Sequence, residues 1–342
     1  MEPTILDVAE KAGVSPSTVS RVINETAPVA EATKKKVTDA IESLGYRTNK
    51  FAHALRKQSS NVFGIIVPDI SNPFFSTLIR GAEDRFHEGG LSTMICDTKG
   101  EPKKEIRNIE MLVKERVDGV VATSTESAGN GINRLFEEEI PVVAVDRSPT
   151  SNEITTVLAD NEGSGKKATR HLLEKGCRRI GFVRGPSGVS TAHERFTGYV
   201  NALEERELHA DDDLITQGDF TFSSGKRALE RLREKNRNSG PPDGLVVAND
   251  LMAVGVIRKA EELNVKVPGD LAVVGFDDIL LSKLINPTLT TVSAPTYRMG
   301  ATAAGLLLNE VESNRMGRAD RGKRVVFATE LVERESSQLG GG

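Results

Sequence analysis

From residue 62 onward the chain alternates short apolar runs with longer stretches that are apolar on one helical face only. Runs of this length are typical of buried strands, and the longer stretches have the period of about 3.6 residues that marks amphipathic helices. The alternation therefore predicts parallel sheets covered by helices on both faces. The predicted strands are VFGIIVPD at 62–69, LSTMICD at 91–97, GVVAT at 119–123, PVVAVD at 141–146, TTVLAD at 155–160, RIGFVRG at 179–185, LITQGDF at 214–220, GLVVAND at 244–250 and LAVVGFD at 271–277.

These strands form two sets that look like copies of each other. Gly64 and Gly81 are separated by 17 residues, as are Gly181 and Gly198. Duplication of this kind predicts two similar α/β lobes, and a cleft between lobes is the default ligand site. Segments after residue 289 exceed what the second lobe needs, so we expect the chain to cross back. The predicted boundaries are 61–159 and 291–322 for the first lobe, 160–290 and 323–335 for the second, and 336–342 for a flexible tail.

The first 45 residues show a different, wholly helical pattern. Thr4 is suited to cap a first helix, and Asp7 completes a capping box. After a tight glycine turn, Ser15 and Pro16 are residue types preferred at the start of a second helix. A third helical pattern follows. Two short helices joined by a tight turn, with a third behind them, predict a helix-turn-helix head at 1–45.

Composition and charge narrow the class of protein. At 342 residues and a formal net charge of −4, the chain is long enough for two or three domains and has no overall basic coat. Cys96 and Cys177 each lie in an apolar run, which predicts reduced core thiols. The sequence shows neither an export signal nor an apolar run of about 18 residues. We therefore expect a cytoplasmic protein without cofactor or metal.

The exposed face of the second helix carries short polar groups and one guanidinium but no carboxylate. Such groups can donate to phosphates, and arginine can bind the O6 and N7 atoms of guanine. These features favour DNA binding over the alternative, a helical cap on the next domain. The segment VAEKAGVSPSTVSRVIN at 8–24 resembles the opening of the lactose-repressor/galactose-repressor family of bacterial transcription regulators, and the resemblance extends to about residue 335.

The resemblance implies roles for individual residues of the head. Pro16, Ser17 and Arg21 occupy the positions that read bases in this family. We expect Arg21 to carry most of the direct readout, because Pro16 and Ser17 offer few hydrogen-bonding groups. The other positions expected to contact DNA are Thr4, Thr18, Ser20, Asn24, Thr33 and Asn49.

Residues 46–60 form the connection between head and core. Their apolar positions suit one or two helical turns, but an isolated helix this short is marginal in water. Composition alone favours a plain linker. In the family, however, this segment is a hinge helix that pairs with its dimer mate in the minor groove. The resemblance places Leu55 where a side chain wedges into a base step and bends the DNA.

Charged, amide and aromatic residues follow several predicted strands in both lobes. Because open α/β sheets bind ligands at the carboxyl ends of their strands, we expect these residues to meet in the cleft. The alternative for the two adjacent phenylalanines is plain core packing. The positions that match the effector pocket of the family are Asn72, Phe74, Phe75, Asp146, Arg147, Arg195, Phe220, Asn249 and Asp277.

This set of residues suits a sugar. Carboxylate, amide and guanidinium groups pair with hydroxyls, and aromatic rings cover the C–H faces of a sugar ring. The set looks most like the ribose-type pocket of the family. It departs from the family at Ala294, where glutamine is frequent, and the smaller side chain leaves room for a larger ligand or removes one hydroxyl contact. A nucleoside or purine effector and a core without a small ligand are the remaining alternatives.

Two other classes of protein compete with a regulator. EGSGKKAT at 162–169 faintly resembles a phosphate loop but fails the motif at two positions, and the histidines lack a nucleophile or metal-ligand spacing, so we do not expect an enzyme. A transport-type sugar-binding protein would share the two lobes but not the head. The sequence therefore predicts a homodimeric repressor of sugar-utilisation genes, regulated by a sugar or polyol, with near-palindromic operator DNA and no membrane as partner.

The wedge role of Leu55 is testable. We expect Leu55→Ala to lower operator affinity at least about tenfold, because the bent DNA loses the side chain that holds the base step open. Effector affinity should stay the same. Operator and effector titrations of both proteins measure this, and equal operator binding would discard the wedge.

Overall fold

The computed structural model describes residues 3–24, 27–45, 59–124, 130–318 and 321–339. The chain divides into two units, Met1–Ser60 and Asn61–Gly342. The described part of the first unit contains the predicted helices α1 (Ile5–Ala12), α2 (Pro16–Asn24) and α3 (Glu31–Leu44).

The first unit has the capping chemistry that its sequence predicts. The carboxylate of Asp7 accepts a hydrogen bond from the backbone N–H of Thr4 at 2.6 Å, and the Thr4 hydroxyl accepts one from the backbone N–H of Asp7. The Ser15 hydroxyl accepts from the backbone N–H of Thr18 at 3.2 Å, which caps α2. Gly13 has φ 65°, a left-handed conformation that glycine adopts without steric cost. The helices pack around a small core of Val8, Ala9, Ala12, Val19, Val37 and Ala40.

The second unit alternates strands and helices as predicted. Its first half contains β1 (Val62–Val67), α4 (Pro73–Glu88), β2 (Ser92–Asp97), α5 (Pro102–Lys114), β3 (Gly119–Ala122), α6 (Asn130–Glu137), β4 (Val142–Val145) and β5 (Thr155–Ala159). Its second half contains α7 (Asn161–Glu174), β6 (Ile180–Arg184), α8 (Ser190–Glu204), β7 (Ile215–Gln217), α9 (Phe222–Lys235), β8 (Gly244–Val247), α10 (Asp250–Glu262), β9 (Ala272–Phe276), α11 (Leu280–Leu284), β10 (Thr290–Ser293), α12 (Thr296–Arg315), β11 (Arg324–Phe327) and β12 (Glu330–Val332).

The strands form two sheets with matching strand order. The first has the order β11-β5-β4-β3-β1-β2, and the second has the order β12-β10-β9-β8-β6-β7. All pairings are parallel except that between β10 and β12. Each sheet is the centre of one lobe, so the duplication read from the sequence is confirmed by the matching strand order.

The described chain crosses between the lobes after β5, after β10 and after β11. The first crossing coincides with the predicted boundary at residue 159. The other two differ from the prediction: β10 pairs with β9 in the second sheet, and β11 pairs with β5 in the first. Lobe membership is decided by backbone pairing to a sheet, and the apolar pattern of a strand does not specify its partner.

The C-terminal segment corrects a third predicted boundary. A flexible tail was expected from residue 336, yet Ser336 and Ser337 are fully buried. The Ser336 hydroxyl donates to the carbonyl oxygen of Val273 at 2.6 Å and accepts from the backbone N–H of Thr290 at 2.9 Å. These hydrogen bonds dock the start of the segment onto the second sheet, and such long-range partners cannot be read from its sequence.

In the first lobe, α4 and α12 approach each other to backbone contact. A Cβ atom on Gly81 would lie 2.0 Å from the carbonyl oxygen of Tyr297, and one on Gly300 would lie 2.0 Å from that of Leu78. No side chain larger than hydrogen fits at either position. The two glycines therefore fix the distance between the helices, and with it the position of the loop that precedes α4.

The second lobe repeats this arrangement with α7 and α8. A Cβ atom on Gly165 would lie 2.1 Å from the carbonyl oxygen of Arg195, and one on Gly198 would lie 2.1 Å from that of Glu162. The reciprocal pattern occurs at the equivalent place in both lobes, which is a further sign of duplication. The close approach of α7 and α8 also fixes the position of the Arg195 backbone.

The close approach predicts a steric cost for substitution. We expect Gly81→Ala to lower the free energy of unfolding by about 2 kcal/mol or more, because the helices must separate to admit the methyl group. Gly305→Ala, in α12 and with no neighbour nearer than 3.7 Å, is the matched control. It should be neutral or stabilise by about 0.5–1 kcal/mol, as alanine is the better helix former. Urea denaturation measures both, and equal effects would contradict the steric explanation.

Candidate functional site

One cavity of about 900 Å³ lies between the carboxyl ends of the strands of the two lobes. All nine residues predicted for the effector site line it. They come from the loops after β1, β4, β7, β8 and β9 and from the helices α4 and α8. The structure thus brings together side chains that are spread over 200 residues of sequence, from Asn72 to Asp277.

Three of these residues have a left-handed backbone close to the end of a strand: Asp146 and Asp277 directly follow β4 and β9, and Phe220 lies three residues beyond β7. The φ angles are 69° at Asp146, 68° at Phe220 and 103° at Asp277. Non-glycine residues in this region cost of the order of 1–3 kcal/mol each and concentrate at functional sites. The backbone turns at these points lead into the cavity, so the strain coincides with the predicted site.

Two asparagines in the cavity are also helix caps. The Asn72 Oδ1 atom accepts from the backbone N–H of Phe74 at 3.0 Å, and the Asn249 Oδ1 atom accepts from that of Met252 at 3.0 Å. Asn249 further donates from Nδ2 to the carbonyl oxygen of Phe220 at 3.1 Å. Each cap fixes a polar side chain at the edge of the cavity before any ligand arrives.

Phe74 and Phe75 combine the predicted alternatives of ligand contact and core packing. Both rings line the cavity, and both are about 5% exposed. They meet edge to face with their centroids 5.1 Å apart, a favourable aromatic geometry. The rings therefore pack the first lobe while presenting apolar surface to the cavity.

The Arg195 side chain makes hydrogen bonds to three separate parts of the second unit. Its Nε atom donates to Asn161 Oδ1 at 2.9 Å, one terminal nitrogen donates to the carbonyl oxygen of Ala248 at 2.7 Å, and the other donates to Asp277 Oδ1 at 3.0 Å. The guanidinium also lies over the ring of Phe276, 4.8 Å from its centroid. One buried cation thus holds a helix, two strand ends and the crossing after β5 in place.

Asp146 and Arg147 form the corresponding charged pair of the first lobe. An oxygen of Asp146 lies 3.7 Å from Nε of Arg147, and both side chains are buried. Arg147 also donates to the carbonyl oxygen of Ser124 at 2.6 Å. Burial raises the pKa of Asp146, against the opposing effect of Arg147 and Arg195. Burial thus disfavours the charged form of this carboxyl group, while the two cations favour it.

Asp277 is ionised near neutral pH only with the help of its partner. Burial raises the pKa of Asp277 to about 6, Arg195 opposes the shift, and Asp146 adds to it. Because the carboxylate and guanidinium are in direct contact, Asp277 accepts hydrogen bonds as an anion at pH 7.

Sequence reasoning missed several residues of the site. Asp97 and Asp219 line the cavity: Asp97 is the last residue of β2, and Asp219 lies two residues beyond β7, so both are strand-end residues like Asp146. Lys99 lines it too. Asp250 lies directly behind the cavity and has no exposed surface. It ends the predicted strand at 244–250, which is the same signal again, but that signal does not show whether the carboxyl group is buried.

Asp250 ties three elements of the second lobe together. Its carboxyl group is bonded to the backbone N–H of Ile279 at 3.0 Å and to the hydroxyls of Ser282 and Thr291 at 2.7 Å each. Burial raises the pKa of Asp250 to about 8, and Asp277 adds to the shift. The Ser282 hydroxyl is also 2.7 Å from the carbonyl oxygen of Ile279 and has a single proton to donate. A neutral Asp250 that donates to Ser282 satisfies both contacts.

The head presents the predicted DNA-contacting residues at its surface. Pro16, Ser17 and Arg21 are exposed on α2. The hydroxyls of Ser17 and Thr18 both lie 2.8 Å from that of Ser15, so they are held by the N-terminal cap of the helix.

The remaining predicted contacts within the described part are Thr4, which is exposed, and Ser20 and Thr33, which are half-buried. The side chain of Asn24, and all of Asn49 and Leu55, lie outside the described residues.

The segment 162–169, which faintly resembles a phosphate loop, forms the first turns of α7. Asp160 caps this helix by accepting the backbone N–H of Gly163 at 2.9 Å. A carboxylate therefore occupies the end of the helix where a phosphate would bind.

Among the described helices, none is both long enough and apolar enough to cross a bilayer.

Comparison with known proteins agrees with this architecture. A family model described as bacterial regulatory proteins, lacI family, matches residues 4–49, and one described as a periplasmic binding protein-like domain matches residues 169–337. The ribose operon repressor of Halalkalibacterium halodurans is 35% identical over 337 residues, which cover 98% of each chain. The transcriptional repressor PurR of Aliivibrio salmonicida is 35% identical over 310 residues, which cover 90% of this chain and 92% of that protein.

A solved structure extends the likeness to three dimensions. The lac repressor dimer bound to operator and the anti-inducer ONPF matches with a TM-score of 0.84 and 25% identity, covering 99% of this chain and 100% of that one. A helix-turn-helix head followed by a two-lobed α/β core defines a DNA-binding transcriptional regulator. The chain belongs to the LacI family of bacterial regulatory proteins.

The protonation of Asp250 makes stability depend on pH. Between its ordinary value of 3.8 and about 8, the folded protein holds a proton that the unfolded chain releases, so this contribution falls as pH rises. We expect the free energy of unfolding of wild type, relative to Asp250→Asn, to fall by about 1 kcal/mol per pH unit from pH 6 to pH 8. Urea denaturation at three pH values measures this. Asp212→Asn, at an exposed position of the same lobe, controls for the loss of one carboxyl group, and a constant difference would refute the assignment.

Proposed function

We propose that this protein is a homodimeric repressor whose affinity for operator DNA is set by a small neutral sugar or polyol bound in the cavity between its lobes. The observation that carries the proposal is the convergence of nine polar and aromatic side chains on one cavity at the strand ends. The ribose operon repressor of H. halodurans, similar along nearly the whole chain, supports a sugar as the effector.

The chemistry of the lining supports a polyhydroxylated ligand. Asp146, Asp277 and Asn72 offer acceptors and donors that can bind two hydroxyls of one sugar at once, while Phe74 and Phe75 offer apolar surface for its C–H face. Burying a hydroxyl costs free energy unless it is paired. The fixed positions of the caps and of the Arg195 guanidinium reduce the ordering that a ligand must impose.

The charge of the cavity favours a neutral ligand over a phosphorylated or carboxylated one. Its lining contains five carboxyl groups and three basic groups, Asp69, Asp97, Asp146, Asp219, Asp277, Lys99, Arg147 and Arg195. The two arginines already bind carboxylates or backbone carbonyls. An added anion would therefore meet net negative charge without an uncommitted guanidinium to pair with.

Dimerisation supports the proposed DNA binding. One small head makes few phosphate and base contacts, so two heads on a two-fold symmetric operator are needed for tight binding. The similar lac repressor was solved as a dimer on operator DNA. The proposal includes a cytoplasmic location and no enzymatic activity, both in keeping with a DNA-binding regulator.

A purine or nucleoside effector is the second candidate. The likeness to the PurR repressor of A. salmonicida favours it. This chain is 35% identical to that PurR and also 35% identical to the ribose operon repressor. Adjacent phenylalanines also suit a flat heterocycle. The multiple carboxylates favour the sugar, because a purine has fewer donors to offer them.

Two measurements test the proposal. Calorimetry of the full-length protein with D-ribose, D-glucose, adenosine, hypoxanthine and D-ribose 5-phosphate should show binding by a neutral sugar and at least about tenfold weaker binding by its phosphate. Anisotropy of labelled inverted-repeat DNA, with and without the bound ligand, should show a salt-sensitive affinity that the ligand changes. Arg195→Leu should abolish ligand binding without removing DNA binding.

The outcomes separate the candidates. Binding of hypoxanthine or adenosine alone would replace the sugar by a purine. Preference of the phosphate over the free sugar would contradict the charge argument. Failure to prefer any inverted repeat over random DNA would refute the regulator.

A further inference from the structure

Asn161 lies at the first crossing between the lobes and is 2% exposed. Only Asp160 separates it from the end of β5 in the first lobe, and it is the first residue of α7 in the second lobe. It does not line the cavity. Its side chain nevertheless contacts both lobes and a cavity residue, which distinguishes it from an ordinary residue at a helix start.

The hydrogen bonds of Asn161 fix the orientation of its amide. Its Nδ2 atom donates to the carbonyl oxygen of Ala159 at 3.2 Å and to a carboxylate oxygen of Glu194 at 3.2 Å, and its Oδ1 atom accepts from Nε of Arg195 at 2.9 Å. The reversed amide would place an N–H group against Arg195 and an oxygen against two acceptors. Only one orientation therefore satisfies the partners.

These contacts connect the cavity to the crossing. Ala159 is the last residue of β5, so its carbonyl group belongs to the first sheet and moves with it. Arg195 is anchored to the second lobe through Ala248 and Asp277. The amide of Asn161 thus lies between a first-lobe backbone group and the guanidinium that borders the cavity.

Glu194 adds an electrostatic interaction with the first lobe that needs no direct contact. Arg324, on β11 of the first sheet, is among the charges that act on this carboxylate, together with Arg195 and Asp146. The carboxylate accepts the second Nδ2 hydrogen of Asn161. A change in the angle between the lobes would alter both the Asn161 hydrogen bonds and this charge interaction.

We propose that Asn161 is the positioning residue that couples effector binding at Arg195 to the angle between the lobes. This inference rests on the effector site proposed above. A ligand that pulls on the Arg195 guanidinium changes the Nε–Oδ1 contact, and the fixed amide transmits the change to the crossing after β5. Coupling of this kind requires that the ligand bind the two lobe arrangements with different affinity.

The test uses the full-length protein with spin labels on the two lobes. Lys103→Cys on α5 and Arg233→Cys on α9 are exposed positions, whereas the native Cys96 and Cys177 are buried and remain unlabelled. Double electron–electron resonance, with labelled protein diluted in unlabelled protein, gives the distribution of lobe-to-lobe distances. The variants are Asn161→Ala, which removes all three hydrogen bonds, and Asn161→Asp, which preserves side-chain size and the acceptor for Arg195.

The matched control is Asn201→Ala. Asn201, half-buried on α8, donates to Glu162 on α7 at 2.9 Å, so it also bridges these helices by an amide–carboxylate bond, but this bond involves neither Arg195 nor β5. We expect both Asn161 variants to shift or broaden the ligand-free distance distribution, and Asn201→Ala to leave it as in wild type. A wild-type distribution in both Asn161 variants would overturn the proposal.

A second measurement uses D-ribose as the probe. We expect the ratio of operator Kd values with and without saturating D-ribose to fall about fivefold or more in Asn161→Ala, while the Kd for D-ribose changes by less than about threefold. Loss of sugar affinity with an unchanged ratio at saturation would show that Asn161 only supports binding, and would overturn the coupling role. If D-ribose does not act on wild type, D-ribose is not the effector, and the distance distributions alone decide the role of Asn161.

Discussion

The pairing of buried charge at the strand ends is the constraint on which the cleft depends. Arg195 is buried, and an unpaired guanidinium there would cost several kcal/mol. Its partners come from the crossing after β5 and from the ends of β8 and β9. The hydrogen bonds required by the one Arg195 guanidinium therefore determine where three separate parts of the chain lie. The cavity takes its shape from that requirement.

The two asparagine caps likewise combine a structural role with a place in the cavity lining. Asn72 and Asn249 satisfy the free N–H groups of α4 and α10, and the side chains that do so also border the cavity. A functional group that doubles as a helix cap is held by secondary structure rather than by a flexible loop. The glycine contacts between α4 and α12, and between α7 and α8, add a rigid frame behind these groups.

Much of this architecture is readable from the sequence because its causes are local. The capping box of Thr4 and Asp7 and the strands of the core follow from residue type and spacing. The set of cavity residues is also predictable, since parallel strands bring their carboxyl ends together. Asn161 and Asp250 are different, because their roles depend on partners 29 to 41 residues away in sequence. The order in which β10 and β11 join the sheets is likewise set by long-range pairing.

The left-handed turns at Asp146, Phe220 and Asp277 limit how this pocket can change in evolution. A β-branched or bulky aliphatic residue at such a turn would add steric strain to the loss of its contacts. Asparagine, aspartate and glycine tolerate this conformation best. Drift toward new ligands is therefore easier at cavity positions with ordinary backbone geometry, such as Thr191 and Ser187, than at these three. Related regulators that recognise different molecules should thus diverge on the walls of the cleft before they diverge at its strand-end corners.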